Sequence, residues 1–506
     1  MNVNKKFLNI SLALLFSFSI YSCNKNNGDN DNNVNGPDLM VYGITTNNEL
    51  ISFNSNKPGT FSTKMTINGI GAGEKLLSID FRPSTGELYA LSNASKIYVV
   101  NHKTAVARMI GSASFTPAIA GSFASIDFNP TVDRIRLVSN SGQNLRLHPE
   151  TGAVAATDGA INGGTNPMIA GIAYTNSVAG ASSTILYDID ASQGKLFKQD
   201  LPNDGKLVEV GSLGITFSGQ AAFDISPDNS SALIAINNAE GNGLYLIDLA
   251  TGKAKKIDKI STQLLDIAIP TWPVAYAVDT ANKLHIFNPE NPQPVSKDIT
   301  GLATGERIKG IDFRPVNGQL YALGSSSRLY ILNLGTGAAT AVGTSSFTPM
   351  LTGTDFGFDF NPTVDRIRLV SNTGQNLRLH PETGVVAATD GIINPGMPSI
   401  SAGAYTNNFA GTTSTSLFVI DHDTDMLYLQ NPPNNGTLVP VGALGINLSA
   451  NNGFDIGSVW GKAYLAATLS GSGGTKIYEV NTSTGAAKSI SNLNVEVHAF
   501  AMGLGF

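Results

Sequence analysis

The sequence predicts an all-β protein built from two tandem β-propeller-like domains, each with about five four-stranded blades. Three observations support this prediction. The chain repeats itself with a period near 232 residues, short apolar strands recur every 43 to 51 residues, and the 506 residues include 53 Gly and 23 Pro but only 14% charged residues. Short strands joined by many turns fit this composition better than long charged helices do.

The longer repeat is nearly exact in its centre. Over residues 126–162, 33 of 37 positions are identical to the residue 232 places later. The string IDFRPSTGELYAL at 79–91 likewise returns as IDFRPVNGQLYAL at 311–323. A unit that occurs twice in this way indicates two domains of the same fold, for which the boundaries 39–270 and 271–506 are expected.

The shorter repeat predicts the blades and the way in which each domain closes. Each unit starts with an apolar strand, such as SIDF at 78–81, and continues with three more strands. Each half begins with a second-strand pattern and ends with an unpaired first strand, at 265–269 and 497–506. We therefore expect the C-terminal strand of each half to complete the first blade of that half, which removes exposed strand edges. A single ring of about ten blades, a solenoid and two β-sandwiches are the alternatives.

The N-terminus predicts export and a lipid anchor. Lys5 and Lys6 precede an apolar run at 7–20, which is typical of a signal peptide spanning 1–22. Cys23 is the only cysteine, and it follows a small residue as in a bacterial lipoprotein. A plain signal peptide with an incidental cysteine is the alternative. The polar residues 23–38 then form a flexible tether, and the expected location is the bacterial cell envelope, as an outer-membrane lipoprotein.

One predicted hairpin carries an unusual polar face. Strands at 133–139 and 143–148 flank the loop Asn140-Ser141-Gly142, and this pairing places Leu137 opposite Leu145. Because strand side chains alternate, one face is apolar and the other is rich in arginine. The candidate ligand-binding residues of this hairpin and of its copy are Arg134, Arg136, Gln143, Asn144, Arg146, His148, Arg366, Arg368, Gln375, Asn376, Arg378 and His380.

Two interpretations of the arginine-rich face remain open. In the structural interpretation, nearby carboxylates such as Asp133, Glu150 and Asp158 pair with the arginines, because unpaired buried charges are costly. In the functional interpretation, the face is a pocket for a carboxylate, sulfate or phosphate group. The sequence favours the structural interpretation, since ion-pair networks also produce such clusters.

A recurrent aspartate marks the first strand of most units. The structural expectation is that each one bonds turn amides of its own blade. The positions are Asp80, Asp127, Asp224, Asp266, Asp312, Asp359 and Asp455.

No motif settles a reaction. Asp421, Asp423 and Asp425 alternate as in a calcium loop, but the glycine and later glutamate of such a loop are missing, which favours a hairpin turn. The six histidines lack zinc spacing, and nucleophile-elbow and phosphate-loop motifs are absent from the sequence. A net charge of −6 gives no indication of a nucleic-acid partner. We therefore expect no catalytic residue, metal or cofactor.

The strings IDFRPxxGxLYAL, DFNPTVDRIRLVSNxGQNLRLHPETG and AATDG resemble the domain of unknown function 4394 family, and two tandem copies cover nearly all of residues 39–506. The resemblance implies an exported, repeated, propeller-like domain and no established reaction. The expected function is a non-catalytic module that binds a small molecule, a glycan or a protein at the envelope, where the lipid anchor contacts the membrane. Two near-copies would permit bivalent engagement. The alternatives are an envelope hydrolase or lyase acting on a sugar or lactone, and a purely structural surface component.

Overall fold

The computed structural model describes residues 33–506. The predicted signal peptide 1–22, Cys23 and the first part of the tether lie outside the described residues. The last tether residues rest on the first half, where Val34 N–H donates to the carbonyl of Lys256 (2.8 Å). Val34 also packs against a hydrophobic cluster, so the chain is anchored a few residues earlier than its polar composition suggests.

The described residues of the first half form twenty strands. In chain order they are β1 (Met40–Thr45), β2 (Glu49–Asn54), β3 (Phe61–Thr66), β4 (Leu76–Phe81), β5 (Leu88–Ser92), β6 (Lys96–Val100), β7 (Ala107–Ile110), β8 (Ala124–Asn129), β9 (Arg134–Ser139), β10 (Asn144–Leu147), β11 (Val154–Thr157), β12 (Ile169–Tyr174), β13 (Leu186–Asp190), β14 (Lys195–Asp200), β15 (Lys206–Ser212), β16 (Ala222–Ile225), β17 (Ala232–Asn238), β18 (Gly241–Ile247), β19 (Ala254–Lys259) and β20 (Leu264–Ala268).

The second half repeats this pattern with twenty more. They are β21 (Ala275–Asp279), β22 (Lys283–Phe287), β23 (Val295–Asp298), β24 (Ile308–Arg314), β25 (Gln319–Gly324), β26 (Arg328–Leu332), β27 (Ala339–Val342), β28 (Phe356–Asn361), β29 (Arg366–Ser371), β30 (Asn376–Leu379), β31 (Val386–Thr389), β32 (Ile400–Tyr405), β33 (Leu417–Asp421), β34 (Met426–Gln430), β35 (Leu438–Ala443), β36 (Leu448–Ile456), β37 (Ala463–Leu469), β38 (Thr475–Val480), β39 (Ala487–Leu493) and β40 (Val497–Met502). Two single-turn 3₁₀ helices, Pro202–Asp204 and Pro433–Asn435, lie before β15 and β35.

These strands form ten four-stranded antiparallel sheets. Eight of the sheets use four consecutive strands. In each of the other two, the last strand of a half returns to its beginning: β20 pairs with β1, and β40 pairs with β21. The predicted completion of the first sheet by the C-terminal strand is therefore confirmed in both halves.

One strand of each sheet faces the neighbouring sheets, and these ten are called the inner strands. In the first half β4 contacts β8, β8 contacts β12, β12 contacts β16, β16 contacts β20, and β20 contacts β4 again. The inner strands β24, β28, β32, β36 and β40 make the same cycle of contacts in the second half.

The hydrophobic core lies between neighbouring sheets. One cluster joins Tyr89 of β5 to Phe128 of β8, whose rings meet edge to face at 5.0 Å. Tyr321 and Phe360 repeat this contact at 5.1 Å in the second half. Because a sheet packed on both faces has no solvated side, its inner strand is buried along almost its whole length. The burial of β12 and β32 illustrates this, since all six residues of each strand are buried.

Among residues 33–506 there is no helix with the length and apolar character needed to cross a bilayer.

Candidate functional site

The arginine-rich hairpin has the predicted register. Leu145 lies opposite Leu137 and Leu147 lies opposite Ile135, as the alternation of side chains requires. Gly142 has a φ of 84°, a left-handed conformation that glycine adopts without steric cost and that closes the three-residue loop.

Two of the three arginines of this face, Arg136 and Arg146, are paired with one carboxylate. Arg136 is 2% exposed, and its Nη1 donates to Asp158 Oδ2 (2.6 Å) and to Asn144 Oδ1 (2.8 Å). Arg146 clamps the same carboxylate with two further bonds of 2.8 and 2.9 Å. Burial alone would raise the pKa of Asp158, but the hydrogen bonds from the two arginines outweigh it, so the pKa is lowered.

The second copy repeats this arrangement. Arg368 donates to Asp390 (2.6 Å), and Arg378 binds the same carboxylate at 2.8 Å. The other candidate residues make local bonds. Arg134 and Arg366 each donate to the backbone carbonyl of the preceding residue. The side-chain amides of Gln143, Gln375, Asn144 and Asn376 donate to backbone carbonyls of nearby loops. His380 accepts a hydrogen bond from the N–H of Glu382. Burial lowers the pKa of His148. This geometry matches the structural interpretation; ligand binding at these residues stays a prediction.

Arg82 is the partner that sequence reasoning missed. Its Nε donates to Asp133 (2.9 Å), and its Nη2 donates to Glu150 (2.6 Å), so two of the carboxylates expected beside the hairpin arginines are bound elsewhere. Arg314 repeats the first of these contacts with Asp365 (2.9 Å). Arg82 and Arg314 are the arginines of the repeated string IDFRP, and their recurrence in both copies was the sequence feature that could have indicated this ion pair.

The recurrent aspartates join neighbouring sheets. The N–H of Phe128 donates to Asp80 (2.7 Å), the N–H of Tyr174 donates to Asp127 (3.0 Å), and the N–H of Ile269 donates to Asp224 (2.5 Å). In each case the donor lies on, or at the end of, the inner strand of the next sheet. The expectation that these aspartates bond turns of their own blade was therefore wrong about the partner, although their structural role holds.

The same aspartates form two buried trios. Carboxylate oxygens of Asp80, Asp127 and Asp224 lie within 4.8 Å of one another, as do those of Asp312, Asp359 and Asp455. Burial raises the pKa of all six, to about 7 for Asp224 and about 6 for Asp455. An all-oxygen donor set is the kind that Ca²⁺ and Mg²⁺ prefer, so these are the described residues best suited to hold a cation. Each aspartate is already used to bond a backbone amide.

A polar cavity opens where the inner strands of the second half begin. Its volume is about 230 Å³, and its wall includes Lys309 of β24, Ser401 of β32 and His498 of β40. A narrower space continues inward from it, past Asn452 of β36. We call this the polar cavity.

His498 lines the polar cavity and carries an unsatisfied acceptor. Its Nε2 lies 2.8 Å from the carbonyl oxygen of Ile308 and must carry the proton, because a carbonyl only accepts. Burial lowers the pKa of His498 and keeps the ring neutral. Its Nδ1 is buried and has no hydrogen-bond partner among the described residues. Leaving such a group unpaired costs about 1–3 kcal/mol, which a donor from a ligand would recover.

Two cations and one carboxylate complete the wall. Lys309 Nζ donates to the carbonyl of Thr354 (3.2 Å), and Arg307 Nη1 donates to the carbonyl of Thr280 (3.0 Å). Asp355 accepts from the side chain of Asn372 (2.9 Å). Since the two cations bond neutral carbonyls, the cavity keeps a net positive charge.

The first copy is apolar at five of the matching positions, whereas Lys75, Ser122 and Gln220 match Arg307, Thr354 and Asn451 of the second copy. Strand pairing and the repeat align the two copies residue by residue. The second-copy residues and their first-copy counterparts are Lys309 and Leu77, Asp355 and Phe123, Ser401 and Ala170, Asn452 and Ala221, and His498 and Leu265. Five positions of one cavity thus change from apolar to polar between two copies of the same domain, and this change marks the polar cavity as the candidate functional site.

Asp188 is a further buried group that differs between the copies. It is fully buried on β13, and neither carboxylate oxygen has a hydrogen-bond partner among the described residues. Burial raises its pKa to about 8, although the charge of Arg136 opposes this. Val419 is the matching residue in the second copy.

We expect Arg136→Ala to lower the free energy of unfolding by about 3 kcal/mol, because it strips a buried charge pair of one partner. Arg146→Ala should cost about 1 kcal/mol or less, since a third of its side chain is exposed. Urea unfolding of both variants, repeated with Arg368→Ala and Arg378→Ala, measures the difference. Equal losses of unfolding free energy for Arg136→Ala and Arg146→Ala would contradict the expected difference between the buried and the partly exposed arginine.

Asp188→Val should stabilise the fold at high pH. The folded pKa of about 8 lies above the unfolded value of about 3.9. The folded state therefore holds a proton that the unfolded chain has released, and stability from this group falls as pH rises from about 4 to about 8. At pH 8.5 we expect a gain of about 2 kcal/mol. Unfolding across this pH range tests it, with Val419→Asp as the converse variant; an unchanged pH profile in Asp188→Val would refute it.

No curated protein matches the chain. Two solved structures from B. thetaiotaomicron are weakly similar: extracellular domains assigned to a hybrid two-component system and to a one-component system. Each is 11% identical over 91% of this chain, with TM-scores of 0.27 and 0.25, and the chain spans 65% and 71% of their lengths. At such TM-scores the similarity carries no argument about function.

The chain matches one family over most of its length. The model of the domain of unknown function (DUF4394) matches the chain twice, at residues 49–268 and 283–502. These two matches contain all but a few of the described strands, so the resemblance found in the sequence is confirmed. The chain belongs to the DUF4394 family, of which it carries two tandem copies.

Proposed function

We propose that this chain is an exported, envelope-anchored binding protein whose two halves are five-bladed β-propellers, and that it binds an acidic sugar unit in the polar cavity of the second copy. The observation that carries the proposal is the change from apolar residues in the first copy to polar residues in the second at that cavity.

The propeller arrangement is supported by strand order and contacts. In each half the last strand completes the first sheet, and the five inner strands contact one another in a cycle. Five sheets arranged in a cycle bury the inner strands and leave no inner strand as an open edge. The polar cavity then lies at one mouth of the central opening of the second propeller.

The ligand is proposed from the charge and size of the polar cavity. Lys309 and Arg307 suit a carboxylate. The acceptors Asp355 and His498 Nδ1 suit hydroxyl donors. A volume of about 230 Å³ is smaller than the about 300–1,000 Å³ of pockets for drug-sized ligands, which favours a single sugar residue. A uronic acid, free or at the end of a glycan, combines these features.

Binding is favoured over glycoside hydrolysis. Hydrolases of the common type place two carboxyl groups on either side of the scissile bond. Among the described residues of the polar cavity wall, Asp355 is the only carboxylate. The aspartate trios do not supply the second carboxylate, because they are buried and bond backbone amides.

We expect one glucuronic acid to bind per chain, rather than two, because the first copy has Leu77, Phe123 and Leu265 where the second copy has Lys309, Asp355 and His498. His498→Leu and Lys309→Leu install the first-copy residues and should each weaken binding about tenfold or more, as the loss of one charged or buried hydrogen bond implies. Isothermal titration calorimetry with glucuronic acid measures both the affinity and the stoichiometry.

Arg328→Lys is the matched control for these variants. It also installs a first-copy residue, that of Lys96, but at a position outside the polar cavity wall. It should bind as the unaltered chain does. Two equivalent sites per chain, or binding that survives both leucine variants, would contradict the proposal.

The envelope anchor is proposed from the apolar run at 7–20 and the single Cys23. In bacterial cells, the unaltered chain should sediment with the membrane fraction. Cys23→Ser, which cannot accept the lipid, should appear as soluble exported protein. Membrane association of the Cys23→Ser variant would show that the chain is held in another way.

A further inference from the structure

A second cavity lies between the two copies. Its volume is about 240 Å³. The first copy contributes Val99 of β6 and Val106 beside β7, and the second copy contributes Phe409 and Ala410 from the loop after β32. We call this the inter-copy cavity. It is separate from the polar cavity, with which it shares no lining residue.

The junction around the inter-copy cavity is tied by hydrogen bonds between the copies. Arg108 donates to the carbonyls of Val316 (2.5 Å) and Pro315 (3.2 Å), and the N–H of Gly505 donates to the carbonyl of Thr85 (2.7 Å). Because both copies form the wall, the cavity exists only when they are joined in this way.

Asn408 is the feature of the inter-copy cavity that points to a ligand. It lies in the wall and is 2% exposed, yet its Oδ1 is buried and has no hydrogen-bond partner among the described residues. A buried amide oxygen without a donor costs about 1–3 kcal/mol, so such groups are rare in folded proteins. A donor from a molecule in the cavity would satisfy it.

The rest of the wall disfavours a charged molecule. Most of the lining is apolar, and a charge moved there from water would lose its hydration. The charged groups nearby are occupied: Arg108 lies 3.8 Å from Glu87 and bonds two carbonyls, and burial raises the pKa of Glu87. Burial also lowers the pKa of His102 to about 4, so its ring is neutral at neutral pH.

The copies also differ at this cavity. Some lining residues, such as Asn101 and Ala410, are identical to their counterparts Asn333 and Ala179, but others differ. The pairs that differ include Glu87 and Gln319, His102 and Leu334, Val106 and Ala338, Arg108 and Thr340, Asn408 and Ser177, and Phe409 and Val178. Differences between the copies at the junction suit a site made by both copies.

We propose that the inter-copy cavity binds a small, uncharged, largely apolar molecule that donates an N–H or O–H group to Asn408 Oδ1. Such a molecule touches both copies, so it binds the joined chain and stabilises the junction through mass action. The site does not depend on the sugar site proposed above.

The test uses two fluorescent probes of nearly equal size on the full chain. N-phenyl-1-naphthylamine is apolar and carries one N–H donor, whereas 1-phenoxynaphthalene has an ether oxygen in its place. The unaltered chain should bind one amine probe saturably, and it should prefer the amine over the ether roughly tenfold, as one buried hydrogen bond implies.

Two variants locate the binding. Asn408→Leu removes the acceptor and should abolish the preference for the amine while keeping apolar binding. Ala410→Trp fills the cavity and should abolish binding of both probes; if this variant fails to fold, Val106→Trp on the opposite wall makes the same test. Glucuronic acid binding should be unchanged in all three, which separates this site from the polar cavity.

The proposal is overturned if the unaltered chain shows no saturable binding of the amine probe. It is also overturned if a folded tryptophan variant binds the probes as before, or if Asn408→Leu keeps the preference for the amine.

Discussion

The bond from a buried aspartate to a backbone amide of the next sheet is the interaction on which the rest of this structure depends. Asp80, Asp127 and Asp224 each reach across to a neighbouring inner strand, and Asp266 bonds the N–H of Ile79 in the same way (3.1 Å). Neighbouring sheets otherwise meet through apolar side chains, which set the distance between sheets but not their register. The aspartates fix that register, at the cost of placing carboxyl groups close together in a buried space.

The two copies keep three of these aspartates, Asp80, Asp127 and Asp224, as Asp312, Asp359 and Asp455, whereas Ala499 stands where the first copy has Asp266. The copies also differ at the strand beginnings and on the surface where they meet. Both cavities occur in those places. At the beginnings of the second copy's inner strands the residues have become polar, and at the junction Asn408 and Arg108 replace smaller or uncharged residues of the repeat. The two copies share one fold, and each cavity is lined by residues that differ between the copies.

Much of the fold could be predicted from local pattern. The register of the hairpin followed from the alternation around Leu137 and Leu145, and the unpaired strand at the end of each half predicted its pairing with the first sheet. The partners of the aspartates and of Arg82 could not be predicted, because they lie on another sheet about fifty residues away. The cavities are assembled from several strand ends, so no short motif signals them. A position-by-position comparison of the copies, such as Leu265 with His498, was the available signal.

The most direct test of this account is a crystal structure of the full chain with glucuronic acid. We predict one sugar, in the polar cavity of the second copy, with its carboxylate beside Lys309 and Arg307 and a hydroxyl within hydrogen-bond distance of His498 Nδ1. The matching place in the first copy, beside Leu77 and Leu265, should hold no sugar. A sugar bound equally in both copies, or bound on the arginine-rich hairpin instead, would contradict the claim that divergence between the copies made the site.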